Sequence, residues 1–595
     1  MENQTPFKLT PTDKLKWISP VADYMLGLKT LDRYYQQRQK NLGMHDFLRY
    51  SLDTLNIKCQ ISSGSLDSIP QQGPVIVVAN HPFGAIEGIA LAELLLQRRS
   101  DVKILANQYL QRVPELADLF IGVDVMGNKD AGKSNSSSIK KSITHLNNQG
   151  LLLVFPAGEV STWQLHNQQI TDKEWHRILG MMVRKTGAAS LPIYIEGRNS
   201  ALFHAAGVIH PRLRTLLLAR ELLNKRNTLL RFHVGELICS SEMKSLVSDE
   251  SITQYLRLNT YLLARKADRQ QQMQSDTAAN IQPVIPAIES KLLLQNINNL
   301  PAARKMLATD QFEVYCAHAS ELPDVLPEIG RLREITFRSV GEGTGTACDL
   351  DAYDEYYQHL FIWDREQHAI VGAYRLGLVD EIMNTSDQNT DVKCLYSRSL
   401  FNYRKQFIST LGNAIELGRS FVRLEYQRSL SPLLLLWKGI ATFVSQRPHY
   451  TTLFGPVSIS NSYSAISRSL LTQFLEIHYY DKDRAQQIKP TRKQKHPKKV
   501  FWTSDMLHQL GDEQLISKLI YRMEGDKGIP VLIRQYLNLK GRLVCFNLDK
   551  NFNDALDGMI VVNLTEVPER TLGRYMGRVQ AALYLKSHLA QNMAA

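Results

Sequence analysis

Residues 269–281 read RQQQMQSDTAANI, and Pro283 and Pro286 follow closely. A polar, glutamine-rich stretch ending in prolines has little to bury and predicts an exposed linker. The chain on either side must then build its own core. At 595 residues the chain is in any case too long for one hydrophobic core. On both sides short apolar runs alternate with helical stretches, which predicts two α/β domains. The boundaries expected are a first domain over 1–268, a linker over 269–288 and a second domain over 289–595. No internal repeat relates the halves, so they are expected to be different domains.

Several classes of protein are set aside by composition and patterning. No apolar run reaches the roughly eighteen residues that read as a membrane span; the longest, around 151–155 and 433–437, suit buried strands or short helices. Residues 1–12 are polar and lack the apolar core of a secretory signal. Cys59, Cys239, Cys316, Cys348, Cys394 and Cys545 show neither paired metal spacing nor a disulfide framework, so no metal site and a reducing cytoplasm are expected. The net charge of +12 suits a polyanion, whether nucleic acid, anionic lipid or an acidic carrier protein. No helix-turn-helix, zinc-finger or aromatic RNA-binding pattern favours nucleic acid.

The first candidate site begins where the strand-like run VIVVA (75–79) meets Asn80-His81-Pro82-Phe83-Gly84. A helix-compatible stretch, 85–96, follows and carries Glu87 near its start. A histidine at a strand end with a carboxylate on the next helix is how a general base is presented: the carboxylate fixes the tautomer and stabilises the imidazolium. A second strand-like run, 151–154, leads into Phe155-Pro156-Ala157-Gly158-Glu159. A third, 191–195, carries Pro192. In this order the blocks resemble the glycerolipid (lysophosphatidic acid) acyltransferase superfamily over most of residues 70–240. The resemblance implies that His81 is the base and Glu87 its partner, with Phe155, Pro156, Gly158 and Glu159 in the substrate-binding block. Five residues separate His81 from a Glu where the superfamily usually has four and an Asp. Ala157 stands where a Glu is common, and residues 120–130 offer only Lys129, with Lys133 nearby, in place of the usual arginine. These departures resemble a divergent branch, the haemolysin-like or ornithine-lipid synthase group, and argue against an ordinary phospholipid acceptor. Residues 211–226 (PRLRTLLLARELLNKR) read as a basic amphipathic helix whose leucines either face a lipid interface or pack into the core.

The second domain carries a different array. Residues 331–346 (RLREITFRSVGEGTGT) precede Asp349, Asp351 and Asp354. Strands are expected over 361–364, 370–376 and 421–426, with Glu416 and Arg419 before the last and a helix beginning near Ser431. Arg333, Phe337, Asp351, Asp354, Arg375, Glu416 and Arg419 fall in the order found in acyl-homoserine-lactone synthases and ornithine N-acyltransferases, both of the GNAT fold; the resemblance spans roughly 290–465. An amino-acid acceptor needs a carboxylate near its ammonium and a guanidinium for its α-carboxylate. Glu416, the expected catalytic residue, or one of Asp351 and Asp354 can fill the first role and accept the amine proton, and Arg375 or Arg419 can fill the second. Residues 427–432 (QRSLSP) contain no glycine, whereas coenzyme A pyrophosphate is usually gripped there by a glycine-rich loop. A phosphopantetheine thioester on an acidic acyl carrier protein is therefore the expected co-substrate, and no resident cofactor is expected. The basic run 489–499 is expected to be a solvated loop or a charge tether, and 531–536 with 543–548 a further strand pair.

The resemblances together imply a bifunctional acyltransferase of ornithine lipid biosynthesis: a glycerolipid acyltransferase-like domain followed by a GNAT-like domain. The second would N-acylate ornithine, or a similar amino acid, with a 3-hydroxyacyl group, and the first would O-acylate the new hydroxyl. A cytoplasmic enzyme on the inner face of the membrane, partnered by acyl carrier protein and by no nucleic acid, is the corresponding expectation. The alternatives are a single active domain acting on another amino acid or a lysophospholipid, and a haemolysin-like membrane-active protein.

Overall fold

The computed structural model describes residues 26–123, 131–164, 168–272, 282–384, 395–429, 431–497 and 500–594. Residues 273–281 of the expected linker, together with Lys129, lie outside the described residues. Two compact units form, Met1–Gln274 with Lys498–Asp526, and Ser275–Pro497 with Lys527–Ala595.

The first unit is built on a seven-stranded sheet of β1 (Lys58–Ser63), β2 (Val75–Ala79), β3 (Val102–Asn107), β4 (Phe120–Val123), β5 (Leu151–Val154), β6 (Ala189–Glu196) and β7 (Leu229–Val234), in the order β1-β7-β6-β2-β5-β3-β4. Only β6 and β7 run antiparallel. The five residues of β2 are all buried, between β5 on one side and β6 on the other. A strand covered on both faces has no place for alternating polar residues, hence the unbroken VIVVA. Helix Ala85–Leu96 buries Ile86, Ala90, Leu91 and Leu95. Residues 498–526 return to this unit. Helix Glu513–Glu524 packs on helix Asp249–Gln272, where Arg522 donates to Asn259 Oδ1 at 3.1 Å and to Glu242 Oε2 at 2.9 Å. Leu515, Ile516, Leu519, Ile520 and Met523 form its buried stripe.

The second unit contains an eight-stranded sheet: β8 (Lys305–Ala308), β9 (Phe312–His318), β10 (Gln358–Asp364), β11 (Ala369–Leu378), β12 (Ala414–Val422), β13 (Thr452–Ile459), β14 (Arg542–Asp549) and β15 (Ala555–Asn563), ordered β8-β9-β10-β11-β12-β13-β15-β14. All neighbours are antiparallel except β12 and β13, which pair in parallel through only three positions, Ala414–Thr452 to Glu416–Phe454. Helix Ser431–Gln446 connects them.

Two strand expectations and one helix expectation are corrected. Residues 531–536 belong to helix Val531–Asn538; Ile533, Tyr536 and Leu537 form its buried stripe, so an apolar run of suitable length served a helix instead. The strand expected over 421–426 runs from Ala414 to Val422 and ends in a short 3-10 turn at Leu424–Tyr426. Residues 211–226 form two short helices, Pro211–Leu216 and Leu218–Asn224, in place of one. Within the basic run, Ile488–Pro490 pairs with Phe401–Tyr403, and residues 491–493 are exposed.

Two candidate active sites

In the first unit the chain leaves the buried end of β2 at Asn80, whose side chain accepts from the Ile195 amide at 2.6 Å and donates to the Ile195 carbonyl at 3.0 Å. This amide clamp extends the β2–β6 pairing by one position and fixes where His81 emerges. Gly84 then adopts φ +123°, a conformation suited to glycine, and helix Ala85–Leu96 starts. Glu87 sits in its first turn. Its Oε1 accepts from the Phe83 and Gly84 amides at 2.9 and 2.8 Å and lies 2.9 Å from His81 Nδ1. The carboxylate thus caps the helix that carries it and orients the imidazole. A glutamate is long enough to fold back across the five intervening residues.

Glu87 is fully buried, while the His81 side chain is 18% exposed and stacks on Phe155 with ring centroids 4.5 Å apart. Burial pulls the His81 pKa down, but the Glu87 carboxylate, with a smaller push from Asp172, leaves it above its ordinary value. Asp172 had no signal in the sequence. It accepts from the His81 amide at 3.2 Å, from Ser161 Oγ at 2.5 Å and from Trp175 Nε1 at 2.9 Å. Burial raises its own pKa against those hydrogen bonds. With Nδ1 facing Glu87, Nε2 is left to take a proton from an incoming hydroxyl.

The other expected residues of this unit divide. Phe155 is at the histidine. The Pro156 carbonyl accepts from the His176 amide at 3.0 Å, and Gly158 turns at φ +68° with open space where a Cβ would stand. Glu159 is engaged elsewhere, by Arg214 and by Lys173 at 2.7 Å.

In the second unit the expected residues converge from several elements into one buried ionic network. Arg333, on helix Val325–Ser339, donates to both oxygens of Asp354 at 2.9 Å, and its Nε lies 3.3 Å from Asp349. Arg375 of β11 meets Asp351 at 2.5 Å and Asp354 at 3.3 Å. Arg419 of β12 lies 3.2 Å from Asp351 and 3.5 Å from Asp349. Arg419 also has φ +50°, where the pairing of β11 with β12 shifts register, so a bulge re-aims its side chain. The rings of Tyr353, Tyr357 and Tyr396 surround the Arg375 guanidinium at 5.0 to 5.5 Å. Burial opposes ionisation of Asp354, yet Arg333 and then Arg375 hold its pKa well below the usual range. Phe337 packs edge-on to Phe552 at 6.1 Å.

Glu416 is 1% exposed and fully occupied as an anchor. It accepts from the Tyr357 hydroxyl, from the Tyr396 amide at 3.0 Å and from the Ser397 amide at 2.8 Å. It therefore ties β12 to the segment at 396–397. Tyr357 of this anchor lies in the sequence run AYDEYY (352–357), which suggests no partner for it.

Sequence reading also missed a second group of acids. Ser458 pairs with Asp557 across β13 and β15, and its hydroxyl donates to Glu342 at 2.8 Å. Alternation along β13 puts Ser458 on the same face as Phe454, the partner of Glu416. Glu342, Asp549 and Asp557 are each at least nine-tenths buried, and Asp557 Oδ2 has no hydrogen-bond partner. Burial raises all three pKa values, Glu342 to about 7; Asp549 adds to the rise at Glu342, Asp549 and Glu342 add to it at Asp557, and Asp554 at Asp549, while Arg419 opposes it at the two aspartates. Among the described residues no cluster of His, Cys, Asp or Glu is arranged to hold a metal ion. No described helix is long and apolar enough to cross a membrane.

Fold and sites together define a two-domain acyltransferase. Residues 30–270 match the family described as Acyltransferase, and residues 332–438 match the Acetyltransferase (GNAT) domain. The glycine N(alpha)-acyltransferase of Phocaeicola vulgatus is 31% identical over 276 residues, covering 43% of this chain and 81% of that protein, and the chain belongs to its family. A second protein of that organism, the lyso-glycine lipid O-acyltransferase, is 28% identical over 214 residues, covering 35% of this chain and 73% of that protein. Both relatives are named for glycine, whereas the sequence reading led to ornithine.

Proposed function

We propose that this chain performs two successive acylations of amino-acid lipid assembly, N-acylation in the second unit and O-acylation in the first. The observation that carries the reading is that one chain joins an acyltransferase unit to a GNAT unit, and that its relatives are named for N-acylation of glycine and for O-acylation of lyso-glycine lipid. In the first step the neutral acceptor amine attacks the thioester carbonyl of a 3-hydroxyacyl chain; the C–N bond of the amide forms, the C–S bond breaks, and the amine proton passes to the departing thiolate, which leaves as the thiol. Glu416 and the Arg333–Asp354 pair hold the pocket in shape, while Arg375 and Arg419 supply positive charge for the acceptor carboxylate. In the second step the new hydroxyl attacks another acyl thioester. His81 takes its proton at Nε2, Glu87 stabilises the imidazolium, and the thiol again leaves.

Ornithine, or another amino acid with a second ammonium, is the acceptor we assign. Buried Glu342, Asp549 and Asp557, with one oxygen unpartnered, offer a charge partner that glycine does not need. Acyl carrier protein is the donor assigned to the N-acyl step, because residues 427–432 lack the glycines of a coenzyme A pyrophosphate loop. The test is mass spectrometry of lipids from cells expressing the chain, alongside His81→Ala and Arg419→Ala. Wild type should yield the diacyl lipid and His81→Ala the monoacyl intermediate alone. Arg419→Ala should give neither unless synthetic intermediate is supplied. Glycine lipids in place of ornithine lipids would overturn the acceptor, and diacyl product from His81→Ala would overturn the division of labour.

A further inference from the structure

The helices that follow β6 carry an outward face unlike the rest of the first unit. Residues 197–220 (GRNSALFHAAGVIHPRLRTLLLAR) contain no Asp or Glu and four arginines. They form helices Ala201–Ile209, Pro211–Leu216 and the start of Leu218–Asn224. Their inward side is accounted for: Phe203 is fully buried, Arg214 reaches Glu159, and the Ser200 hydroxyl donates to Glu221 at 2.6 Å. The large apolar side chains point the other way. Leu202 is 50% exposed, Val208 73%, Ile209 77%, Leu213 43% and Leu216 45%. Trp163, 44% exposed, lies on the hairpin strand Thr162–Gln164 that packs against helix Ala201–Ile209. Packing into a core would have buried these residues; here they form an open apolar face.

That face adjoins the candidate O-acyl site. Ser161, immediately before the hairpin, donates its amide to the His81 carbonyl at 2.7 Å. Asn199, just before the helices, donates to the Phe83 carbonyl at 3.0 Å. Arg198 and Arg220 are exposed on the same segment. An apolar face whose own segment carries cations and no carboxylate is the composition that seats in the headgroup boundary of an anionic bilayer.

We infer that this helical face docks the first unit onto an anionic membrane surface, so that His81 opens toward acceptors held in the bilayer. The inference rests on the proposed O-acylation for its purpose, though binding can be measured without any acyl transfer. A soluble protein exposes such a patch at a cost in solubility unless something covers it; the cations and the absence of acids select lipid over a second copy of the chain, whose matching face would carry the same charge.

The full chain should co-sediment with vesicles of equimolar phosphatidylglycerol and phosphatidylcholine, and less with phosphatidylcholine alone. Val208→Glu/Ile209→Glu should weaken partitioning about tenfold or more, because two apolar groups leave the interface and two like charges face the lipid. Leu213→Gln, a milder change, should weaken it less. Neither variant touches His81, so O-acylation of a water-soluble short-chain acceptor should be retained while transfer to a vesicle-held acceptor falls. Undiminished vesicle binding by the double variant overturns the inference. So does wild type that binds no vesicle, or that forms a dimer which the same substitutions dissolve. Retained binding loss without any O-acylation would leave the docking face standing and remove the proposed reaction.

Discussion

The two units bring charged side chains together at different ranges along the chain. His81 and Glu87 touch because one strand ends and the next helix begins between them; a single tight turn at Gly84 suffices. The charged residues of the second unit come from a helix, a turn and two strands between positions 333 and 419, and they neutralise one another in a buried lattice. A site built locally can keep a reactive atom free, as His81 Nε2 is. A site built from distant elements uses much of its charge to hold itself together.

The sharpest break of that comparison is His81→Ala. O-acylation should fall by roughly 10²–10⁴, the range for a lost general base, while N-acylation and the melting of the second unit stay unchanged. Paired assays of both steps on one preparation would show it, and an equal loss of both would merge the two sites. Arg333→Ala tests the opposite property. It leaves Asp349 and Asp354 buried without their main cation and should destabilise the second unit by about 3–5 kcal/mol. Denaturant unfolding should reveal that loss, with O-acylation of supplied intermediate surviving.

Smaller effects sharpen the picture. Asn80→Ala strips the clamp from the Ile195 amide and carbonyl, costing about 1–3 kcal/mol where those groups stay dry. Because it moves the strand end, O-acyl turnover should fall with it, which a thermal melt and an assay together would separate from simple unfolding. The mildest prediction concerns pH. Glu342 titrates near 4.5 when unfolded and at about 7 in the fold. Between those values the unfolded chain gives up the proton that the folded unit keeps, so stability falls as pH rises through the window. Glu342→Gln should flatten that slope. A slope unaltered by the substitution would place the titration elsewhere.

Local chemistry was legible because it is written over a few residues. The apolar VIVVA, the breaker NHPFG and a carboxylate one turn later specify a strand, a sharp exit and a capped helix, and the structure brings His81 to Glu87 from those signals alone. The order of Arg333, Asp351, Asp354, Arg375 and Arg419 likewise marked residues that meet. What the sequence by itself could not decide is what each meets. Glu416 is an anchor for Tyr357 and the 396–397 amides because β12 passes beside them, and nothing in ELGRS says so. Asp172, eleven residues from Ser161 and ninety-one from His81, joins their hydrogen bonds only after folding. The helix at 513–524 has a clear apolar stripe but finds its core some 250 residues earlier, against 249–272. Periodicity fixes which face of an element is apolar; only packing chooses the partner, because burial energy depends on the area removed from water and is indifferent to distance along the chain.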